Sequence, residues 1–232
     1  MPLLLRGVPQ NNNFFPSPDS VQTKLIDSIY NEFSGEHNEL IRSTFDTIKK
    51  RPISMQIATN SDDRDKLALE AAKQLQDPNG PRVAVFELDG FDTHAAQGGV
   101  NGAHADELEE VNNIVKILYK NLGPSFDNTL IVTLTEFGRT IKQNGANGTE
   151  HGYGSVILMA GGLLKKSQVY TDWPGLKKKN LFEGRDLDST IDSRAVYNSA
   201  MSVCFNKEPD FLRREVFWGD NLPDLSQELF KV

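Results

Sequence analysis

The sequence predicts an α/β fold, a mostly parallel sheet flanked by helices. Short apolar runs suited to buried strands punctuate the chain: VAVFEL at 83–88, TLIVTLT at 129–135 and SVILMAGG at 155–162. An amphipathic stretch, ADELEEVNNIVKILYKNLG at 105–123, separates the first two, the strand–helix–strand alternation of a parallel-dominated sheet. The runs are apolar throughout rather than alternating, as strands covered on both faces require.

At 232 residues the chain fits one large domain, or one domain with an appendage. Residues 1–18, rich in Pro and Asn, read as an irregular arm. Residues 19–80 read as a helical segment. Val21, Leu25, Ile29 and Phe33 recur at a spacing of four behind a cap at Asp19 or Ser20, and Leu40, Ile41, Phe45 and Ile48 mark a second helix that stops at Pro52. SDDRDKLALEAAKQLQ at 61–76 is a third, with Ser61 as its cap and Leu67, Ala71 and Leu75 on one stripe. Residues 81–232 then form the α/β core. Its long helix over 105–123 has Leu108, Val111, Val115, Leu118 and Leu122 as inner face and Gly123 as C-cap. TIDSRAVYNSAMSVCF at 190–205 predicts one more helix with Asp192 in its first turn.

Composition narrows the function. A hydrophobic share of 38% and a charged share of 25% are those of a soluble globular protein. The net charge of -7 argues against nucleic-acid binding, which needs a basic face, and the KKKN run at 177–180 reads as a solvated loop. No apolar run is long enough for a membrane span, and the opening lacks the basic leader and full apolar region of a signal peptide. Cys204 is the only cysteine, so no intrachain disulfide or cysteine-based zinc site can form. Its apolar surroundings predict a buried structural thiol.

Three loops adjoin the expected strands, where α/β proteins collect ligands. DGFDTH offers Asp89, Asp92 and His94; TEFGRT offers Glu136 and Arg139; NGTEHGYG offers Glu150 and His151. Such oxygen and imidazole donors could converge on one divalent cation, with zinc, manganese and iron all suited to the set. Asp92 and His94, two residues apart, can point the same way from an extended loop. Arg139 would add a planar fork for a phosphate, sulfate or carboxylate. Plainer roles are also open: His94 as a loop bridge, Glu136 in a salt bridge with Arg139, His151 packed on Tyr153. His104 reads as a cap or surface group and His37 as incidental.

GFDTH, TEFGRT, GTEHGYG, DWPGL and TIDSRAVY occur in that order, and with them the chain resembles domain-of-unknown-function family 1501. That family is similar, distantly, to the alkaline-phosphatase and sulfatase superfamily. The resemblance implies an alkaline-phosphatase-like sheet, incomplete on its N-terminal side, so that the chain corresponds to the C-terminal part of a longer member. It implies a metal site made by Asp92, His94, Glu136 and His151, with Phe137 where the superfamily has another His, and Arg139 as the catalytic anion holder. It implies relatives often exported to the periplasm, and no nucleophile is found in this chain.

Three functional readings follow. A metal-dependent hydrolase would act on small anionic phosphate or sulfate esters, in a truncated or inactive form where the front half is missing. A non-catalytic metal- and anion-binding module, or partner protein of an exported system, would need only the ligands. A structural reading, in which the motifs are loop caps and sheet-edge ion pairs, would need neither.

Overall fold

The structure, a computed structural model, describes residues 2–5, 61–78 and 80–232. The two helices expected between residues 19 and 52 lie outside the described residues. The chain divides into two compact units, Met1–Leu88 and Asp89–Val232.

In the first unit, strand β1 (Pro2–Leu5) pairs in parallel with β2 (Val83–Phe86), Pro2 opposite Val83 and Leu5 opposite Phe86. Of the stretch read as an irregular arm, these four residues are in a strand and the rest lies outside the described residues: a PLLL run beside VAVF supplies the doubly apolar pairing that parallel strands favour. Helix α1 (Ser61–Gln76) matches its expected span. It is built from good helix formers and buries Leu67, Ala68, Ala71 and Ala72 on one stripe. Pro78 in the DPNG break cannot continue it.

The second unit opens with a loop and helix α2 (Ala103–Leu122), which leads into a 3-10 turn over Gly123–Asn128. Gly123, at φ 51, ends the helix in a conformation that glycine adopts without penalty. The buried stripe is Ile114, Leu118 and Leu122, while Leu108 is exposed. The expected face is therefore rotated, because the stripe that packs runs strictly every fourth residue back from Leu122.

The expected parallel sheet is not what this unit contains. Strand β3 (Ile131–Val132) pairs with β6 (Met159–Ala160), and β4 (Gly138–Arg139) pairs with β5 (His151–Gly152), both antiparallel. Thr133 and Leu158 extend the first ladder, and Thr140 donates its N–H to the Glu150 carbonyl beyond the second. One long hairpin results, nested around a tip at 141–149. The physical reason is connectivity. Parallel strands need a crossover of a dozen or more residues, usually a helix, whereas 136–154 holds turns and no helix, so the chain can only double back. The arms are also less covered than continuous apolar runs suggest, with Leu134 71% and Val156 63% exposed. Between the two ladders one arm has residues 134–137 and the other 153–157, so the second arm carries one extra residue, the offset that a bulge produces. Gly138 and Gly154 make this possible: a Cβ on Gly138 would lie 1.8 Å from the Gly154 carbonyl oxygen.

The base of the hairpin packs into the core. Helices α3 (Ser193–Phe205), α4 (Pro209–Glu215) and α5 (Ser226–Leu229) follow the exposed 3-10 turn at Lys178–Asn180, which sits in the expected solvated stretch. Ala195, Val196, Ala200, Leu222, Leu225, Leu229 and Phe230 form a buried cluster, and Leu130, Ile157 and Met159 of the hairpin lie against it. Cys204 is exposed, not buried, because it lies in the last turn of α3 beside the exposed Phe205, beyond the packed stretch that ends at Ala200. Asp192 caps α3, its carboxylate accepting the Arg194 N–H at 2.9 Å. The Arg194 side chain, the backbone bond and its charge hold this carboxyl below the usual carboxylate range against the opposing effect of desolvation. A group depressed in the fold contributes stability at neutral pH and loses it on acidification through the carboxylate range. Asp192→Ala should therefore lower stability by about 1 kcal/mol at pH 7, with a smaller difference in acid, read by urea denaturation at the two pH values.

Candidate metal centre

Two segments build the site, the loop at 91–97 and the hairpin tip that docks on it. In the loop, Thr93 and His94 donate their N–H groups to the carbonyls of Phe91 and Asp92, tight three-residue turns rather than the extended backbone expected. The tip is joined to it by backbone bonds, Ala96 N–H to the Ala146 carbonyl, Gln97 N–H to that of Asn147, and Thr149 N–H to that of Thr93. Gln97 also accepts from the hydroxyls of Thr93 at 2.8 Å and Thr149 at 2.6 Å. Gly148 is buried at the junction, where a Cβ would meet the His94 carbonyl carbon at 2.2 Å.

Docking brings together Asp92, His94 and His151, whose donor atoms all lie within 4.8 Å of one another. Asp92 Oδ1 lies 2.9 Å from His94 Nε2 and 3.1 Å from His151 Nε2, and the two Nε2 atoms are 3.3 Å apart. With Asp92 ionised, no placement of ring protons gives all three contacts a hydrogen bond. A shared proton between the imidazoles requires one bare nitrogen, and that nitrogen then faces the carboxylate lone pairs. A cation at the centre removes the conflict. Ligands about 2.1 Å from an ion stand about 3.0 Å apart at right angles and about 3.4 Å apart in a tetrahedron, so the three atoms are already near ligating separation. The side chains of Asp92, His94 and His151 are 54%, 44% and 51% exposed, which leaves one side open to water.

The surroundings fix these groups. Desolvation pushes the Asp92 carboxyl upward, but hydrogen bonds from His151 and Arg139 and the fields of both imidazoles outweigh it and hold it below the usual range. Arg139, 15% exposed, donates from Nη1 to Asp92 Oδ1 at 2.8 Å and reaches Thr93 Oγ1 at 3.5 Å. Arg139 thus pairs with Asp92, where the plainer alternative pairs it with Glu136. His151 stacks on Phe137, ring centroids 3.7 Å apart, rather than on Tyr153, which itself stacks on Phe182. His94 Nδ1 lies 3.0 Å from Glu150 Oε2. A hydrogen bond from Asn144 holds the Glu150 carboxyl below its usual range, against desolvation and with help from His94 and Arg139. His104 sits in the first turn of α2 with its ring edge-on to Phe91, outside the site.

Of the sequence-predicted ligands, the structure gathers Asp92, His94 and His151. Glu136 is exposed and lies outside the trio; two residues before the ordered Gly138–Arg139 ladder, it is the neighbour of Phe137 that contributes. The sequence reading offers Glu150 without assigning it a role and does not single out Asn144. Its signal was the QNGANG run, an Asn followed by glycines that marks a tight turn.

A family model described as "Protein of unknown function (DUF1501)" matches residues 43–211. Comparison with curated proteins and with solved structures gave no match.

Proposed function

The chain belongs to the DUF1501 family, and within it we propose that Asp92, His94 and His151 of this member hold a divalent metal ion in an open site of hydrolytic type. The observation that carries the reading is the unresolved proton conflict among three donor atoms 2.9–3.3 Å apart. Two imidazoles and a carboxylate suit zinc, manganese or iron. Three protein ligands with an open, solvent-facing side are the pattern of catalytic rather than structural sites. A bound ion would polarise an ester oxygen and acidify a water. Arg139, anchored on Asp92, adds positive charge beside the ion and favours an anionic ester. The ordered motifs' resemblance to the alkaline-phosphatase and sulfatase superfamily supports a phosphate or sulfate ester as substrate. The reading requires no ligand from Glu136.

The test is metal retention with turnover. Tag-free protein dialysed against zinc, manganese or ferrous ion should retain about one ion per chain by elemental analysis. Thermal unfolding should shift upward with metal, by about 2.7 kcal/mol of added stability at one hundred times the dissociation constant. Chromogenic phosphate or sulfate esters should be hydrolysed, the activity vanishing with chelator and returning with metal. One ion without turnover would limit the site to binding. Neither retention nor stabilisation would remove the metal reading altogether.

A further inference from the structure

The metal reading leaves unused a set of polar groups behind His94. Asn144, at the start of the hairpin tip, makes four hydrogen bonds. Its Oδ1 accepts from the backbone N–H groups of Ala146 and Gly148, both at 2.9 Å. Its Nδ2 donates to the His94 carbonyl at 2.8 Å and to Glu150 Oε1 at 2.5 Å. The whole capacity of the side-chain amide is thereby used. Glu150, fixed through Oε1, presents Oε2 to His94 Nδ1 at 3.0 Å, and its own N–H donates to Thr140 Oγ1 at 3.1 Å.

An ionised carboxylate can only accept, so the proton in the His94–Glu150 contact belongs to Nδ1. A neutral imidazole with its proton on Nδ1 has a bare Nε2, and that is the atom 2.9 Å from Asp92 Oδ1 and 3.3 Å from His151 Nε2. In a ring with two distinct nitrogens, the hydrogen bond made by one decides what the other can do.

We propose that Glu150 is a positioning residue: held by Asn144, it keeps the His94 proton on Nδ1 and so presents Nε2 to the ion as a ligand. The proposal rests on the metal reading and adds a division of labour to it. His151 and Asp92 are oriented by Phe137 and Arg139, whereas His94 is oriented by the turn at the hairpin tip. Carboxylates in this outer position contribute about 10–100-fold to metal affinity.

The experiment compares the wild-type chain with Glu150→Leu, which keeps bulk and removes the acceptor, and with Glu150→Gln, which keeps one acceptor oxygen. The His94 tautomer is read from side-chain nitrogen shifts in metal-free protein, at a pH where the ring is neutral. Zinc affinity and metal-free thermal stability are measured on the same samples. The expected result is an Nδ1–H tautomer in wild type that is lost in Glu150→Leu, zinc affinity falling about 10–100-fold, and Glu150→Gln lying between. Metal-free melting temperatures should stay close together, since a merely structural role would move stability and leave the tautomer alone. An Nε2–H tautomer in wild type, or an unchanged tautomer and affinity in Glu150→Leu, would overturn the proposal. If wild type binds no zinc, the metal reading fails, and the tautomer comparison still decides whether Glu150 positions His94.

Discussion

His151→Ala is expected to empty the site while the rest of the fold stands. The side chain is half exposed and contributes one of three donor atoms, so its loss removes a ligand without opening a core cavity. With it goes the ring stacked on Phe137 at 3.7 Å and one hydrogen bond to Asp92. Two remaining protein ligands on an exposed surface cannot hold an ion against water. The drop in affinity should therefore exceed the about 10–100-fold that outer partners contribute. Elemental analysis of dialysed protein should fall from about one ion to a small fraction of one. Metal-dependent stabilisation should vanish, while the metal-free melting temperature should barely move. Retention of the ion by the variant would exclude His151 as a ligand.

Gly148→Val should do the reverse, damaging stability first and the site through it. Gly148 touches no ligand atom. A Cβ there would nevertheless lie 2.2 Å from the His94 carbonyl carbon, 2.3 Å from its oxygen and 2.5 Å from the Ala95 nitrogen. All three are backbone atoms, so no rotamer change relieves the contact and the tip must lift from the loop. Overpacking of this kind costs about 3 kcal/mol at the upper end of its usual range, or a fall in melting temperature of about 6–12 °C in a unit of this size. Metal affinity should fall as well, since lifting the tip separates His151 from Asp92 and His94. Thermal unfolding and zinc titration of the variant check both halves. Wild-type behaviour in each would mean that the tip and loop are not docked as described.

Much of this was legible in the sequence, and the reasons for the rest are physical. α1, α2 and α3 follow from periodicity and punctuation, and the meeting of Asp92, His94 and His151 follows from motifs at the edges of apolar runs. Strand direction did not follow, because an apolar run reads the same whichever way its partner lies. What decides direction is the connection, and the glycine-rich QNGANG stretch between 142 and 149 is hairpin chemistry rather than a crossover. Glu136 and Glu150 look alike in sequence, each an acid beside a site residue, and only the docking of the tip distinguishes them. Cys204 illustrates a smaller limit: an apolar neighbourhood in sequence does not tell that the packed part of the helix ends a turn before that position.

The bulge in the hairpin has a consequence for what this chain can tolerate. Side chains along an arm alternate between faces with a period of two. The Arg139–His151 pairing and the docked tip set which of Glu150 and His151 meets which nitrogen of His94, and the extra residue between Gly152 and Leu158 is taken up below them, between the two ladders. The arm works like a ruler cut one notch long. Exchanging residues within 153–157 for others of similar bulk leaves that pairing intact, because the slack lies between the ladders rather than inside either of them. Changes at the base of the hairpin and changes at its tip are thereby kept from disturbing one another.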